Sequence, residues 1–224
     1  MALSIGIVGL PNVGKSTLFN AITNSQVEAQ NYPFCTIDPS SGIVPINDPR
    51  LAMLAKISNS AKVIPAVIEF TDIAGLVKGA SQGEGLGNKF LSHIREVSAI
   101  AHIVRCFDDE DITHVSGKVD PAADIEIINL ELILADLESV ENMLTNTMKK
   151  DPKLQQKESG PRVELLKRVK ALLEANKPAR QIGELDEDEA KLFKTFNLMT
   201  AKKMIYVANV SEDTIGKTNA YTDT

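Results

Sequence analysis

The sequence predicts an α/β fold in which a mostly parallel sheet is interrupted by an inserted helical hairpin. An apolar run at residues 3–8 leads into a glycine-rich loop and a helix, which is the strand–loop–helix unit of such sheets. Four further apolar runs of strand length lie at residues 42–46, 66–71, 99–107 and 204–208. Apolar residues recur at helical spacing between the last two runs, so the final strand returns after a helical insertion.

Composition places the chain among globular proteins. Its 224 residues are 43% hydrophobic and 24% charged, which suits one or two domains with a sizeable core. The formal net charge of −6 argues against nucleic-acid binding by the whole surface, although it leaves room for a local basic patch. Cys35 and Cys106 have no metal-type spacing, and no signal peptide or transmembrane stretch is evident. We therefore expect a cytoplasmic protein without membrane association, and a monomer.

Residues 9–17 read GLPNVGKST, which fits the phosphate-binding pattern G-x-x-x-x-G-K-[ST]. The glycines let the backbone fold closely around phosphate oxygens, and N–H groups at the following helix N-terminus point at the anion. Lys15 is expected to reach the β- and γ-phosphates and to act in catalysis, and the Ser16 hydroxyl to ligate Mg²⁺. The predicted nucleotide-binding residues of this loop are Asn12, Val13, Gly14, Lys15, Ser16 and Thr17. The sequence therefore predicts a site for ATP or GTP with Mg²⁺.

The polar loop at residues 26–41 contains a candidate sensor of the γ-phosphate. Switch NTPases place a threonine in this loop, and its hydroxyl and carbonyl sense the γ-phosphate through Mg²⁺. Thr36 is the candidate here, as a further Mg²⁺ ligand. The alternative is a turn threonine beside Asp38 and Pro39.

The strand at residues 66–71 runs into DIAG, the D-x-x-G of nucleotide switches, about 60 residues after the P-loop. Asp72 is expected to hold the Mg²⁺ shell, and the Gly75 N–H to contact the γ-phosphate. Ras-like enzymes place a water-orienting glutamine next, whereas this chain has Leu76, which cannot hydrogen-bond through its side chain. Hydrolysis therefore needs another group or is slow. The four glycines of residues 78–87 favour a segment that orders with the nucleotide.

His114 is the candidate for that other group. It lies in a polar loop after the apolar run at residues 99–107. Because this loop follows the carboxyl end of a strand, it could swing the imidazole to the phosphates. The alternative is a solvated loop histidine without a catalytic role.

The pattern after Asp124 predicts a pair of amphipathic helices. Apolar residues recur with helical spacing at Leu130, Ile133, Leu134, Leu137, Val140, Leu144 and Met148. A second periodic stretch at residues 163–173 follows a polar break, which indicates an antiparallel hairpin or short coiled coil. We expect this insertion at residues 129–200, between two parts of a nucleotide-binding domain at 1–128 and 201–224. Asp186 and Glu189 also predict a capping box, which opens a short helix.

Residues 209–212 read NVSE where guanine-specific enzymes have Asn-Lys-x-Asp. Val210 replaces the lysine that packs over the base, and Glu212 carries its carboxylate one methylene further out. A site built for one donor pattern loses discrimination when its acceptor moves, so adenine becomes possible. Asn209, Val210 and Glu212 are the predicted base-site residues. The alternative is a turn that ends the last strand.

The motifs at residues 9–17, 31–37, 72–80 and 209–212 together resemble those of the Obg-like ATPases, the YchF family. The resemblance covers essentially the whole chain. It implies a Ras-like P-loop domain of the translation-factor class, interrupted by a coiled-coil hairpin and followed by a small ubiquitin-like TGS domain. This sequence lacks the end of the nucleotide-binding domain and the TGS domain, so we expect a fragment.

The same resemblance implies a function. It implies that ATP is preferred over GTP, that Leu76 replaces the catalytic glutamine, and that His114 occupies the proposed catalytic position. It also implies a ribosome, a ribosomal subunit or RNA as partner. We therefore expect a slow Mg²⁺-dependent ATPase that acts as a conformational switch. The alternatives are a GTPase of the Obg type and a nucleotide-dependent ribosome- or RNA-binding module with incidental hydrolysis.

Overall fold

The computed structural model describes residues 3–23, 41–73, 86–109, 111–112, 114, 117–150 and 160–223. The strands are β1 (Leu3–Val8), β2 (Ser41–Pro45), β3 (Val67–Asp72), β4 (Ala99–Arg105) and β5 (Lys203–Asn209). The helices are α1 (Lys15–Thr23), α2 (Pro49–Ile57), α3 (Leu86–Glu96), α4 (Pro121–Lys150), α5 (Pro161–Glu174) and α6 (Glu187–Lys194).

The five strands form one sheet in the order β2-β3-β1-β4-β5. β1 pairs in parallel with β3 and β4, β4 pairs in parallel with β5, and β2 alone runs antiparallel, beside β3. The predicted α/β fold with a mostly parallel sheet is thus confirmed. Because the four parallel strands end at the same edge, the loops that follow them converge there, as ligand-binding loops do in open α/β sheets.

The apolar run of β1 is buried at the centre of this sheet. Ile7 and Val8 are fully buried, and α1 and α3 contribute to the same core. The apolar run at residues 204–208 favours a buried strand, but Ile205 and Tyr206 of β5 are 58% and 47% exposed. The reason is position: β5 is an edge of the described sheet, and an edge strand has one neighbour instead of two.

Capping contacts fix the starts of α2 and α6, and the second of these confirms the predicted capping box. The Asp48 side chain accepts a hydrogen bond from Arg50 N at 3.0 Å, and Pro49 opens α2. At α6, Asp186 accepts from Glu189 N, and the Glu189 side chain accepts from Asp186 N, which completes the capping box.

The helical hairpin consists of α4 packed on α5. The seam contains Ile133, Val140 and Leu144 from α4, and Val163, Leu166, Val169 and Leu173 from α5. Leu130 and Leu134 were predicted in the seam, but they are 44% and 36% exposed. The reason is that α4 has two partners: its first half packs Ile128 and Leu132 into the core under the sheet, and only its second half packs on α5.

The predicted boundary between residues 128 and 129 lies inside α4, which runs without a break from the sheet into the hairpin.

A buried carboxylate fixes the path of the chain from the hairpin back to β5. Asp136 of α4 accepts hydrogen bonds from Met199 N at 3.0 Å, Thr200 N at 2.7 Å and Thr200 Oγ1 at 2.6 Å. Burial raises the pKa of Asp136, and the hydrogen bonds from Thr200 and Met199 oppose that rise. The division into domains itself stays a prediction.

Candidate functional site

The glycine-rich loop joins β1 to α1 at the carboxyl edge of the sheet. Gly14 has φ +96°, and a Cβ there would overlap Nδ2 of Asn209, so only glycine fits without displacement. Asn12 also has a positive φ of 62°, a backbone conformation that asparagine tolerates. Val13 is buried, whereas Ser16 and Thr17 are exposed in the first turn of α1. The loop therefore presents the start of α1 to solvent at this edge.

Lys15 is the first residue of α1, and only 8% of it is exposed. Its Nζ donates a hydrogen bond to Leu10 O at 2.9 Å, so the ammonium closes the loop on itself. Burial lowers the pKa of Lys15, and the negative charge of Asp72 opposes the shift. An anion placed in the loop would give the ammonium a charged partner in place of the carbonyl.

Ser16 and Asp72, two of the predicted Mg²⁺ ligands, lie in contact although 56 positions separate them in sequence. The Ser16 hydroxyl donates to Asp72 Oδ2 at 2.7 Å. The other carboxylate oxygen, Oδ1, is buried and has no hydrogen-bond partner in the described part of the chain. A hydroxyl beside a carboxylate with a spare oxygen fits Mg²⁺, which binds through one or two carboxylates together with phosphates and water.

Larger metal clusters are not formed by the residues that the structure describes. No group of three or more His, Cys, Asp or Glu side chains is placed there to hold a metal ion. The predicted ligand Thr36 and the predicted γ-phosphate contact Gly75 lie outside the described residues, as do Leu76 and most of residues 78–87.

The predicted base site begins where β5 ends. Asn209 Nδ2 donates to Val13 O at 2.9 Å, and Asn209 O accepts from Cys106 N at 2.7 Å. Asn209 therefore joins the last strand to the glycine-rich loop. Val210 is half-buried, and exposed Glu212 opens a 3-10 turn of three residues. The structure thus brings Asn209 to the glycine-rich loop and places Val210 and Glu212 just after Asn209 in the chain.

His114 is buried, and the expected alternative of a solvated loop histidine is wrong on this point. Only 7% of the residue is exposed, and its Nε2 lies 2.9 Å from Oδ2 of Asp124. Asp124 belongs to the first turn of α4. The imidazole is thus packed between its loop and the hairpin helix, while its catalytic role stays a prediction.

Two residues around His114 were missed by the sequence reasoning. One is Asp124, which looks like an ordinary acidic residue in the first turn of a helix. The other is Arg105, which is 1% exposed and donates to carbonyl oxygens of the following loop. The acceptors are Phe107 O at 3.0 Å, Asp109 O at 3.1 Å and Ile112 O at 2.8 Å. A charged residue ending an otherwise apolar strand was the available signal for Arg105.

Comparison with known proteins gives a consistent result. A family model described as a 50S ribosome-binding GTPase matches residues 4–210. The chain is 59% identical to the ribosome-binding ATPase YchF of Bacillus subtilis over 215 residues, covering 96% of this chain and 58% of that protein. It is 52% identical to the protein of that name from Haemophilus ducreyi over 223 residues, covering 100% of this chain and 61% of the relative.

A solved structure agrees with these relatives. The Schizosaccharomyces pombe YchF GTPase superposes with a TM-score of 0.76 at 42% identity, covering 95% of this chain and 58% of that one. The chain thus spans 58–61% of the length of these relatives. The resemblance drawn from the motifs is confirmed. Among the described helices, none combines the length and apolar character needed to cross a bilayer.

Proposed function

We propose that this chain, which belongs to the 50S ribosome-binding GTPase family, is a slow Mg²⁺-dependent ATPase that works as a conformational switch. The observation that carries the proposal is the contact between Ser16 and Asp72 beside the glycine-rich loop. It joins a hydroxyl at the start of the phosphate-binding helix to a carboxylate at the end of β3, and it leaves one buried carboxylate oxygen for a cation.

Each residue of the loop and its neighbours has a definite role in this proposal. The N–H groups of residues 12–17 and the Lys15 ammonium bind the β- and γ-phosphates, while Ser16 and Asp72, with Thr36, hold Mg²⁺. When bound, Mg²⁺ neutralises charge on the phosphate oxygens. Water attacks the γ-phosphorus in line, and the bond from that phosphorus to the bridging oxygen of the departing diphosphate breaks. Lys15 stabilises the charge on the transferred group.

His114 is the proposed water-positioning residue. Leu76 follows the D-x-x-G motif and has no hydrogen-bonding side chain, so the chain must orient water with another group or hydrolyse slowly. Replacement of His114 by Ala is expected to lower kcat, with nucleotide affinity unchanged. Unchanged turnover would remove His114 from the mechanism.

The choice of nucleotide depends on the base site. The Bacillus subtilis relative is called an ATPase and the Schizosaccharomyces pombe relative a GTPase, so the names differ on this point. In this chain Asn209 gives one amide hydrogen to Val13 O of the glycine-rich loop, and Val210 and Glu212 stand where a guanine site has its lysine and aspartate. Neither reproduces the lysine and aspartate of a guanine site, which supports ATP over GTP.

Competition titration tests this choice. With a fluorescent nucleotide analogue and Mg²⁺, ATP is expected to compete more strongly than GTP. The double change Val210→Lys and Glu212→Asp rebuilds the guanine motif and is expected to shift the ATP/GTP affinity ratio toward GTP by about tenfold or more. Glu184→Asp, in an exposed loop, is the matched control. Stronger competition by GTP in the unmodified chain would favour the Obg-type GTPase instead.

A ribosome, a ribosomal subunit or its RNA is the proposed partner, because the relatives are named as ribosome-binding proteins. The hairpin of α4 and α5 is the element that would carry the nucleotide state to that partner. Pelleting with ribosomes, with and without a non-hydrolysable ATP analogue, is expected to show nucleotide-dependent binding. Binding that is indifferent to nucleotide would favour a binding module whose hydrolysis is incidental.

A further inference from the structure

A buried pair of side chains ties the candidate catalytic histidine to the hairpin helix. His114 Nε2 lies 2.9 Å from Asp124 Oδ2, and the two side chains are 4% and 3% exposed. Asp124 is in the first turn of α4, which continues for 30 residues into the hairpin. The contact therefore joins the loop after β4 to the helix that leads out of the nucleotide-binding sheet.

The surroundings of Asp124 make this contact strong. Burial raises the pKa of Asp124, and the hydrogen bond from His114 is the first of the effects that oppose the rise. The charges of Asp120 and Arg105 act in opposite directions on the same carboxyl. Asp124 Oδ1 is buried and has no hydrogen-bond partner within the described ranges. A buried carboxylate that loses a hydrogen-bond donor lowers the stability of the fold. Asp124 therefore favours the His114 conformation in which the ring donates to its Oδ2.

Hydrogen bonds hold several described residues on either side of His114. The Arg105 guanidinium holds three carbonyls, the last of them Ile112 O. Tyr221, near the end of the chain, also donates from Oη to Asp108 Oδ2 of the loop after β4 at 2.6 Å. Gly117 N donates to His114 O at 3.1 Å, and Gly117 has φ +79°, which favours glycine. The described residues before His114 are thus held in place by Arg105 and Tyr221.

Space for a different histidine position exists beside the pair. A cavity of about 490 Å³ is lined by Arg105, Asp108, Ile112, His114 and Lys118, among others. It can accept the ring when the ring leaves Asp124, and it can admit water to the carboxylate that is left behind.

We propose that Asp124 is a positioning residue that holds His114 in a withdrawn position, and that this pair breaks when the histidine engages the nucleotide. The proposal rests on the proposed role of His114. A ring that is 4% exposed, with Nε2 engaged by Asp124, cannot also use that nitrogen to orient a phosphate-bound water, so use of Nε2 requires the ring to leave the carboxylate. Because Asp124 belongs to α4, breaking the pair also frees one contact of the hairpin helix, which links hydrolysis to the hairpin.

Steady-state kinetics test the holding role. Asp124→Asn keeps the side-chain shape but weakens the charge-assisted bond, so it is expected to raise kcat about three- to tenfold with KM unchanged. In the double variant with His114→Ala this rise should vanish, because Asp124 acts through the histidine. Glu126→Gln is the matched control. It removes the same charge at an exposed position of the same helix, is not among the groups that act on the Asp124 carboxyl, and should leave kcat unchanged.

A second readout does not depend on turnover. The chain has three histidines, so the imidazole signals of labelled histidine are few and assignable by single substitutions. A non-hydrolysable ATP analogue with Mg²⁺ is expected to shift the His114 signal of the unmodified chain. In Asp124→Asn the signal should move part of the way to that position before nucleotide is added.

The outcomes separate this proposal from the proposed function. A loss of turnover in His114→Ala together with a lower kcat in Asp124→Asn would keep the catalytic histidine and overturn the holding role. A rise in kcat that persists in the double variant, or a His114 signal that nucleotide does not move, would also overturn it. Unchanged turnover in His114→Ala would remove the histidine from hydrolysis, and the holding role with it.

Discussion

At the scale of single residues, three buried polar side chains of the described chain have incomplete hydrogen bonding. Asp72, His102 and Asp124 each keep one buried side-chain atom with no hydrogen-bond partner in the part of the chain that the structure describes. The Asp72 oxygen belongs to the proposed cation site. The Asp124 oxygen belongs to the carboxylate that is proposed to hold His114. His102 takes part in neither site. It lies in β4, 1% exposed, beside the ring of Tyr206 at 5.5 Å.

His102 makes stability depend on pH. Burial lowers its pKa from 6.5 to about 4, so the unfolded chain binds the proton more readily than the folded one between these values. The stabilisation is complete above pH 6.5 and is lost as pH falls toward 4, by about 3 kcal/mol. His102→Leu is expected to remove that part of the loss. Urea unfolding of both proteins at several pH values measures it, and parallel pH curves would contradict it.

At the scale of elements, the contact between Asp136 and residues 199–200 fixes where the hairpin returns to the sheet. The carboxylate accepts three hydrogen bonds from Met199 and Thr200, and it is buried together with both. These donors lie in the 3-10 turn Met199–Ala201, directly before β5. One side chain of α4 thus sets the start of the last strand, and with it the position of Asn209 at the glycine-rich loop.

Asp136→Asn is expected to lower the free energy of unfolding by about 2–3 kcal/mol, because one amide oxygen cannot accept all three bonds and a buried donor is left unpaired. Asp186→Asn is the matched control. It changes the exposed N-cap of α6, where asparagine caps as well as aspartate, and should change stability by less than about 0.5 kcal/mol. Urea unfolding at neutral pH compares the two. Equal stability of both variants would contradict the anchoring role of Asp136.

At the scale of the whole molecule, nucleotide and Mg²⁺ are expected to stabilise the fold together. A ligand that binds only the folded chain adds about 2.7 kcal/mol at a hundredfold excess over its Kd. Removal of Mg²⁺ by chelation should cost most of this gain in the unmodified chain and little in Ser16→Ala. Ser92→Ala, an exposed helical serine, serves as control. Thermal unfolding with ATP, with and without chelator, measures the effect. A Ser16→Ala variant that keeps the full Mg²⁺ response would remove Ser16 from the metal site.

Much of the fold and part of the site were predictable from sequence because they depend on neighbouring residues. The strand limits differ from the predicted ones by at most two residues, and the capping box at Asp186 and Glu189 is present. The glycine-rich loop carries its pattern within nine residues, and its Gly14 needs a positive φ. Periodicity, caps and turns act over a few positions, which is the range that a sequence displays directly.

The tertiary structure alone decided which side chains meet. Ser16 reaches Asp72 and Asn209 reaches the loop at Val13 because parallel pairing brings the strand ends to one edge. Leu130 of α4 is exposed because this helix packs on both the sheet and α5, whereas its apolar pattern predicted a single seam. For His114 the alternative of a solvated loop histidine is wrong, because the ring lies buried against Asp124, where desolvation and hydrogen bonding between distant elements outweigh the local preference of a loop. The sequence by itself determined the phosphate-binding loop and the strand and helix types, whereas contacts across the fold determined the environment of each proposed functional group.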